Sequence, residues 1–258
     1  MNSWNGLVKK EFYQSRVWMV SVLALVILVN FVSYGFAVRY DHALISFFSA
    51  FFTLLFLGLY LGIFLAVSLS AEFKQRQLWL YNPQPVTKLI GAKFVVGLVA
   101  NIVTLIVAGA FTLFAAAQSL NQYTDLSAND TVASLVKGAF WLELGVMFSG
   151  ISFAVLILLV MSVHQFIKQY AGKVSGFITT VLVIASMIAW TYIQSSSIYR
   201  TIVGWGTITF AAPTELEQIH QSITVDGTIT VGRIVFYVVS LSVFYFLSCW
   251  ILEKKVEV

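Results

Sequence analysis

Serine and histidine side chains are the first candidates for catalysis in this sequence. Phe148-Ser149-Gly150 places a serine inside an apolar run, as an intramembrane serine hydrolase would. Such an enzyme needs a base within hydrogen-bond reach of its nucleophile. However, Met147 precedes the serine, no histidine lies in the apolar runs that follow, and all three histidines lie at run ends or in links: His42, His164 and His220. We therefore interpret Ser149 as a helix-packing residue.

Metal and nucleotide sites lack their usual motifs here. The sequence contains no zinc-binding pair, no aspartate-rich magnesium site and no Walker A loop, whose glycines and lysine cradle phosphates. The single cysteine, Cys249, excludes a disulfide within the chain and any multi-cysteine metal site. We predict no catalytic residue, metal or cofactor in this chain, and no ATP hydrolysis by a Walker motif of its own.

Three polar residues in apolar runs are candidates to line a substrate path: Glu143, Asn30 and Asn101. Pairing between helices is the alternative for the two asparagines. A charge buried in hydrocarbon costs on the order of 2–3 kcal/mol or more, so Glu143 is a functional candidate. A substrate contact and an ion pair with Lys137 or Arg233 both explain it. A position among the lipid headgroups explains it as well.

The elements that must position these residues are membrane spans. Of 258 residues, 59% are hydrophobic and 10% charged, and the mean hydropathy is +0.89. Apolar runs of about 20 residues cross the bilayer as helices, which satisfy their own backbone hydrogen bonds. We predict an all-α membrane protein, a single permease domain over 1–258, with six transmembrane helices at about 17–38, 44–69, 94–117, 138–163, 174–194 and 233–252.

Lysine and arginine residues set the predicted orientation. Eleven of the 15 lie on the side that carries both termini, and four lie on the other. Because cytoplasmic links carry the excess of Lys and Arg, both termini are predicted to be cytoplasmic. The basic residues are spread along the chain and form no nucleic-acid site.

The N-terminus is predicted to form an amphipathic interfacial helix. Trp4, Leu7, Val8 and Phe12 recur at helical spacing on one stripe, although Glu11 falls on the same side. Two interpretations of this helix are equally good: a simple membrane anchor next to span one, and a functional elbow helix.

The cytoplasmic segment between spans two and three is predicted to dock another protein. Asn82-Pro83-Gln84-Pro85 must end one helix, and a short coupling helix from about Val86 leads into span three. Interfacial anchoring is the alternative for its aromatic residues. The predicted coupling residues are Glu72, Lys74, Arg76, Leu78, Leu80, Pro83, Pro85 and Lys88.

The external link at 195–232 has an apolar part, 198–212, that is too short to span. We predict a re-entrant or interfacial helix there. The alternation around Asp226-Gly227 fits a β-hairpin and equally an irregular loop. Gly58 with Gly62, and Gly172 with Gly176, have the spacing of close helix packing, of which a dimer seam is one use.

These features together resemble the ABC-2-type transporter permeases over essentially the whole chain. Members carry an acidic residue after span two, then a leucine-rich turn, a proline and a basic residue before span three. The corresponding positions here are Glu72, Leu78 and Leu80, Pro83 or Pro85, and Lys88 with Lys93. Gln75 and Arg76 stand where members often have glycine, which departs from the pattern.

The resemblance implies a multi-pass permease of an exporter, embedded in the lipid of a bacterial plasma membrane. Two permease chains, identical or related, would assemble with two separate ATPase subunits that bind ATP and Mg, and 72–93 would contact them. The expected cargo is an amphipathic peptide, hydrophobic toxin or drug. Two alternatives stay open: a secondary transporter or channel, and a non-transporting immunity or sensor subunit.

Overall fold

The computed structural model describes residues 3–74, 84–123, 128–210 and 227–254. Its helices are α1 (Ser3–Tyr40), α2 (Ala43–Leu57), α3 (Tyr60–Lys74), α4 (Val86–Tyr123), α5 (Ala128–Ala171), α6 (Ser175–Ser195), α7 (Ser197–Val203) and α8 (Val231–Lys254). A 3-10 turn, Gly172–Val174, joins α5 to α6, and two strands, β1 (Thr207–Phe210) and β2 (Gly227–Thr230), lie between α7 and α8. The predicted helical class is confirmed.

Several helices are long and apolar enough to cross a membrane. Within the described residues there are four by length and composition: Trp4–Tyr40, Val86–Ser119, Val136–Ser195 and Val231–Lys254. A bent pair, Ala43–Leu57 with Tyr60–Phe73, makes five if it counts as one span. The helices are compatible with a membrane protein of several spans, although this count falls short of six.

The chain divides into two compact units, Met1–Leu158 and Leu159–Val258. The first holds the helix bundle of α1 to α4 and most of α5. Its core is apolar and includes Val26 of α1, Leu54 of α2, Leu61 and Leu65 of α3, and Ala108 of α4. The assignment of 1–258 to one permease domain stays a prediction.

Helix α1 corrects the prediction of a separate interfacial helix. It runs unbroken from Ser3 to Tyr40, because no proline or glycine interrupts the helical ladder between Gly6 and Gly35. The residues of the predicted apolar stripe also differ in burial. Leu7 is buried and Val8 half-buried against the bundle, whereas Trp4 and Phe12 are exposed.

The second predicted span, 44–69, is broken. Helix α2 ends at Leu57, α3 begins at Tyr60, and the two helices meet at a bend of 45°. Gly58 and Gly62 both face α5: a Cβ on Gly62 would lie 2.5 Å from the ring of Phe153, and one on Gly58 would lie 3.1 Å from the Ser149 hydroxyl oxygen. The glycine spacing therefore serves close packing within the chain.

The second unit begins in the last part of α5 and turns back at the 3-10 helix. Gly172 has φ +51, in the left-handed region that glycine adopts at no steric cost. His164 of α5 and Thr179 of α6 then meet, with 3.1 Å between Nδ1 and Oγ1. Since 15 residues of straight helix would separate them by about 22 Å, the chain reverses direction here. Gly172 is a turn residue rather than a packing residue.

The external link differs from the predicted helix over 198–212. Helix α7 ends at Val203, where Gly204 follows and Gly206 has φ +68, and Thr207–Phe210 form β1. β1 pairs antiparallel with β2, with Thr207 opposite Thr230 and Phe210 opposite Gly227. Alternating β-branched residues favour strand over helix in both segments. The other arm of the predicted Asp-Gly hairpin, 222–226, lies outside the described residues.

Candidate functional site: a buried charge cluster

Three charged side chains meet inside the first unit, each from a different helix. Lys93 of α4 places its Nζ 2.6 Å from Glu11 Oε2 of α1 and 2.9 Å from Glu72 Oε1 of α3. The same ammonium donates to the Ser68 hydroxyl at 2.9 Å. We call Glu11, Ser68, Glu72 and Lys93 the charge cluster.

The sequence places these groups at one level by simple helix geometry. Ser68 and Glu72 are four residues apart on α3 and so share a face. Glu11 follows Leu7 and Val8 by a helical turn on the bundle side of α1. Lys93 lies between Ala92 and Val96, two buried residues of α4. Its long side chain reaches the two neighbouring helices, α1 and α3.

The charge cluster is shielded from solvent. The exposed fraction is 0% for Lys93, 2% for the Glu11 side chain and 14% for the Glu72 side chain. Leu7, Leu89 and Ala92, each within four residues of Glu11 or Lys93 in the sequence, form a buried apolar cluster against which Val8 packs. At this burial the pairing of charges is required, because an isolated buried ion pays its full desolvation cost.

The charge balance of the cluster is uneven. Two carboxylates face one ammonium, so their formal charges sum to one negative charge. Glu11 Oε1 and Glu72 Oε2 are buried without a hydrogen-bond partner among the described residues. The arrangement holds three helices together through Lys93, whose ammonium also donates to the Ser68 hydroxyl.

Of the eight predicted coupling residues, the structure describes four. Glu72 points inward to Lys93. Pro85 precedes α4 and its carbonyl accepts from the Lys88 N–H at 3.0 Å, and the Lys88 side chain is exposed. Lys74 ends α3. Four others lie outside the described residues: Arg76, Leu78, Leu80 and Pro83.

The three predicted path residues have different surroundings in the structure, and their role as a substrate path stays a prediction. Asn30 is buried and donates to the Val26 carbonyl of its own helix at 2.8 Å. Glu143 lies against Gly109 of α4, in the space that a side chain there would fill. Asn101 is fully buried, and neither amide atom has a partner among the described residues.

Sequence reasoning missed two members of the cluster as functional residues, Glu11 and Ser68, and placed Lys93 only in the family pattern, as a basic residue that leads into span three. The one available signal was Glu11 on the apolar side of the N-terminal stripe. No group of three or more His, Cys, Asp or Glu in the described chain is arranged to hold a metal ion.

Comparison with known proteins yields no relative from which a function could be transferred. No family model matches the chain, and neither a curated protein nor a solved structure matches it.

Proposed function

We propose that this chain is the membrane-spanning permease subunit of an ATP-driven exporter of the ABC-2 type. In this proposal it has six spans, both termini are cytoplasmic, and the membrane is a bacterial plasma membrane. The observation that carries the proposal is the buried charge cluster, which ties α1 to both helices that flank the linker at 75–85.

The count of six is supported by the reversal at Gly172. Val136–Ser195 comprises 60 residues, which as one straight helix would be about 90 Å long, three times the hydrocarbon thickness. Dividing this run at the 3-10 turn gives two spans. With the bent pair counted as one span and the three other apolar helices, the total is six.

The cluster suits the transmission of force from a cytoplasmic partner. Glu72 lies near the end of α3 and Lys93 near the start of α4, so the linker between them joins two helices that a buried ion pair holds together. Glu11 adds α1 to the same assembly. A partner that moves the linker would therefore displace all three helices as one body, since breaking the pair would leave a buried charge uncompensated.

The groove on the first unit supports an apolar cargo. A groove of about 530 Å³ runs between α1, α2 and the start of α3, a size typical of ligand pockets. Its walls are almost wholly apolar and include Trp18, Leu25, Phe52 and Phe56. In this proposal two ATPase subunits supply ATP and Mg, a second permease chain completes the path, and an amphipathic peptide or hydrophobic toxin is carried.

The test uses the chain co-expressed with an ABC-type ATPase encoded beside its gene, purified together and placed in lipid nanodiscs. We expect a stable complex whose ATP hydrolysis falls at least tenfold in Glu72→Gln while the two proteins still co-purify. Lys10→Met, which alters an exposed lysine next to Glu11, is the control and should hydrolyse ATP at the unaltered rate. Failure of the unaltered chain to bind that ATPase, or full activity in Glu72→Gln, would overturn the proposal.

A secondary transporter is the second candidate, and the unpaired carboxylate oxygens favour it. Buried ionisable residues in membrane proteins often lie on proton or ion pathways. Uptake of a fluorescent amphipathic peptide by vesicles that contain this chain alone, driven by a pH gradient and without ATP, would establish this candidate and exclude the ATP-driven permease.

A further inference from the structure

The break between α2 and α3 frees a backbone carbonyl inside the bundle. The Gly58 and Leu59 N–H groups donate to the Leu55 and Phe56 carbonyls, both at 3.0 Å, and the Leu59 carbonyl accepts from Ile63 at 3.0 Å. The carbonyl groups of Leu55, Phe56 and Leu59 therefore each accept a backbone hydrogen bond. The Gly58 carbonyl oxygen has no backbone partner in the described chain. A buried carbonyl without a backbone partner is open to a side chain, a water molecule or an ion.

Two further polar groups lie near Gly58. The Gly58 oxygen lies 3.1 Å, and Asn101 Nδ2 3.6 Å, from the position that a Cβ on Gly150 would take. Asn101 is fully buried, and its carboxamide has no hydrogen-bond partner among the described residues. Ser149 Oγ lies 3.1 Å from the Cβ position of Gly58 and donates its proton to the Val146 carbonyl at 2.8 Å, so its lone pairs remain available.

We propose that this is a binding site for one alkali-metal cation of the Na⁺ or K⁺ class. The ligands are the Gly58 carbonyl of the helix break, the Asn101 carboxamide oxygen of α4 and the Ser149 hydroxyl of α5. The nitrogen and oxygen of the Asn101 carboxamide exchange by a half-turn about the last side-chain bond, which brings the oxygen to the site.

The ligand set decides the charge of the ion. All three ligands are neutral oxygens, which suit a hard monovalent ion, whereas a divalent ion in a dedicated site requires carboxylates. The Gly58 carbonyl belongs to the C-terminal end of α2, where the helix dipole is negative and favours a cation. Broken helices in membranes offer carbonyls to ions in this way. The site does not depend on the proposed transport function.

The space for the cation exists because Gly58 and Gly150 have no side chains. A Cβ at position 150 would stand where the Gly58 carbonyl and Asn101 approach, so Gly150→Ala would fill the site with a methyl group. Asn101→Leu would remove the carboxamide while keeping nearly the same volume. Asn30→Leu is the matched control, because Asn30 is equally buried but already hydrogen-bonded to the Val26 carbonyl.

The experiment measures thermal unfolding of the purified chain in detergent, in NaCl, KCl or N-methylglucamine chloride at equal ionic strength. A ligand that binds only the folded state raises the unfolding temperature with its concentration. We expect Na⁺ or K⁺, but not N-methylglucamine, to raise it saturably. The apparent affinity should fall at least tenfold in Asn101→Leu and Gly150→Ala, and remain unchanged in Asn30→Leu.

Two results would overturn the proposal. One is the same unfolding temperature in all three salts, which would indicate a water molecule between Gly58 and Asn101. The other is an unchanged cation response in Asn101→Leu. If a variant fails to fold, ²³Na relaxation measures Na⁺ binding to the unaltered chain, and excess K⁺ should displace the bound Na⁺. Absence of saturable binding in that experiment would also reject the site.

Discussion

At the scale of single residues, the charge cluster explains an irregularity in the sequence. Glu11 interrupts the apolar stripe of the N-terminal helix because that face of α1 meets Lys93 and not lipid. The types and approximate depths of these residues could be read from the sequence. Their pairing could not, because Glu11 and Lys93 are 82 positions apart and the rotation of each helix depends on packing against the others.

Removing the ammonium should destabilise the fold more than any surface substitution. Lys93→Met leaves two buried carboxylates without their shared partner, and we expect a loss of about 3–5 kcal/mol in the free energy of unfolding. Denaturant unfolding in detergent measures it. Lys10→Met, at an exposed position, should stay within about 0.5 kcal/mol.

The same measurement on a triple variant separates charge from packing. Lys93→Met combined with Glu11→Gln and Glu72→Gln removes every charge of the cluster, so most of the lost stability should return. Equal losses in the single and triple variants would mean that the ammonium stabilises through the packing of its side chain alone.

At the scale of elements, glycines decide where helices approach and where they break. The small-residue spacing at Gly58 and Gly62 indicated close packing, and the structure shows the partner to be α5. No proline marks the bend after Leu57 in the sequence, and the bend lies where Gly58 and Gly62 approach α5. Residue patterns therefore located the helices. The positions of the breaks and the packing partners of the helices could be identified only in the assembled bundle.

Gly62→Ala should destabilise the bundle, because its Cβ would lie 2.5 Å from one Phe153 ring carbon and 3.0 Å from Ile157 Cδ1. We expect a loss of about 1–3 kcal/mol, as is usual for overpacking. Gly145→Ala on α5 meets nothing within 4 Å and should be neutral or stabilising by up to about 1 kcal/mol. Thermal unfolding of both variants tests this, and equal effects would refute the packing of α3 on α5.

The reversal between α5 and α6 has its own test. With Cys249 replaced by alanine, the pair His164→Cys and Thr179→Cys should join within the chain on treatment with a short thiol cross-linker, because the parent side chains touch at 3.1 Å. Mass spectrometry of the linked peptides detects the product. His164→Cys with Tyr192→Cys is the control that should not cross-link, since position 192 lies more than three helical turns beyond 179. No cross-linking of the pair at 164 and 179 would mean that α5 and α6 run on as one helix.

At the scale of the whole molecule, the six proposed spans would place both termini on one side of the membrane. Single cysteines at Lys10, Lys173 and Lys254 should react with a membrane-impermeant maleimide only after the cells are opened. Cysteines at Arg39 and Arg200 should react in intact cells. Labelling of Lys10→Cys and Lys254→Cys from opposite sides would indicate an odd number of spans and contradict the topology.

In the proposed function, the chain forms a transport path and a separate ATPase is its motor. Vesicles that contain the chain with its ATPase should release a fluorescent amphipathic peptide when ATP and Mg are supplied to the cytoplasmic face, and release should stop in Glu72→Gln. Vesicles with either protein alone should show none. Release by the chain alone, or undiminished release by Glu72→Gln, would contradict the account.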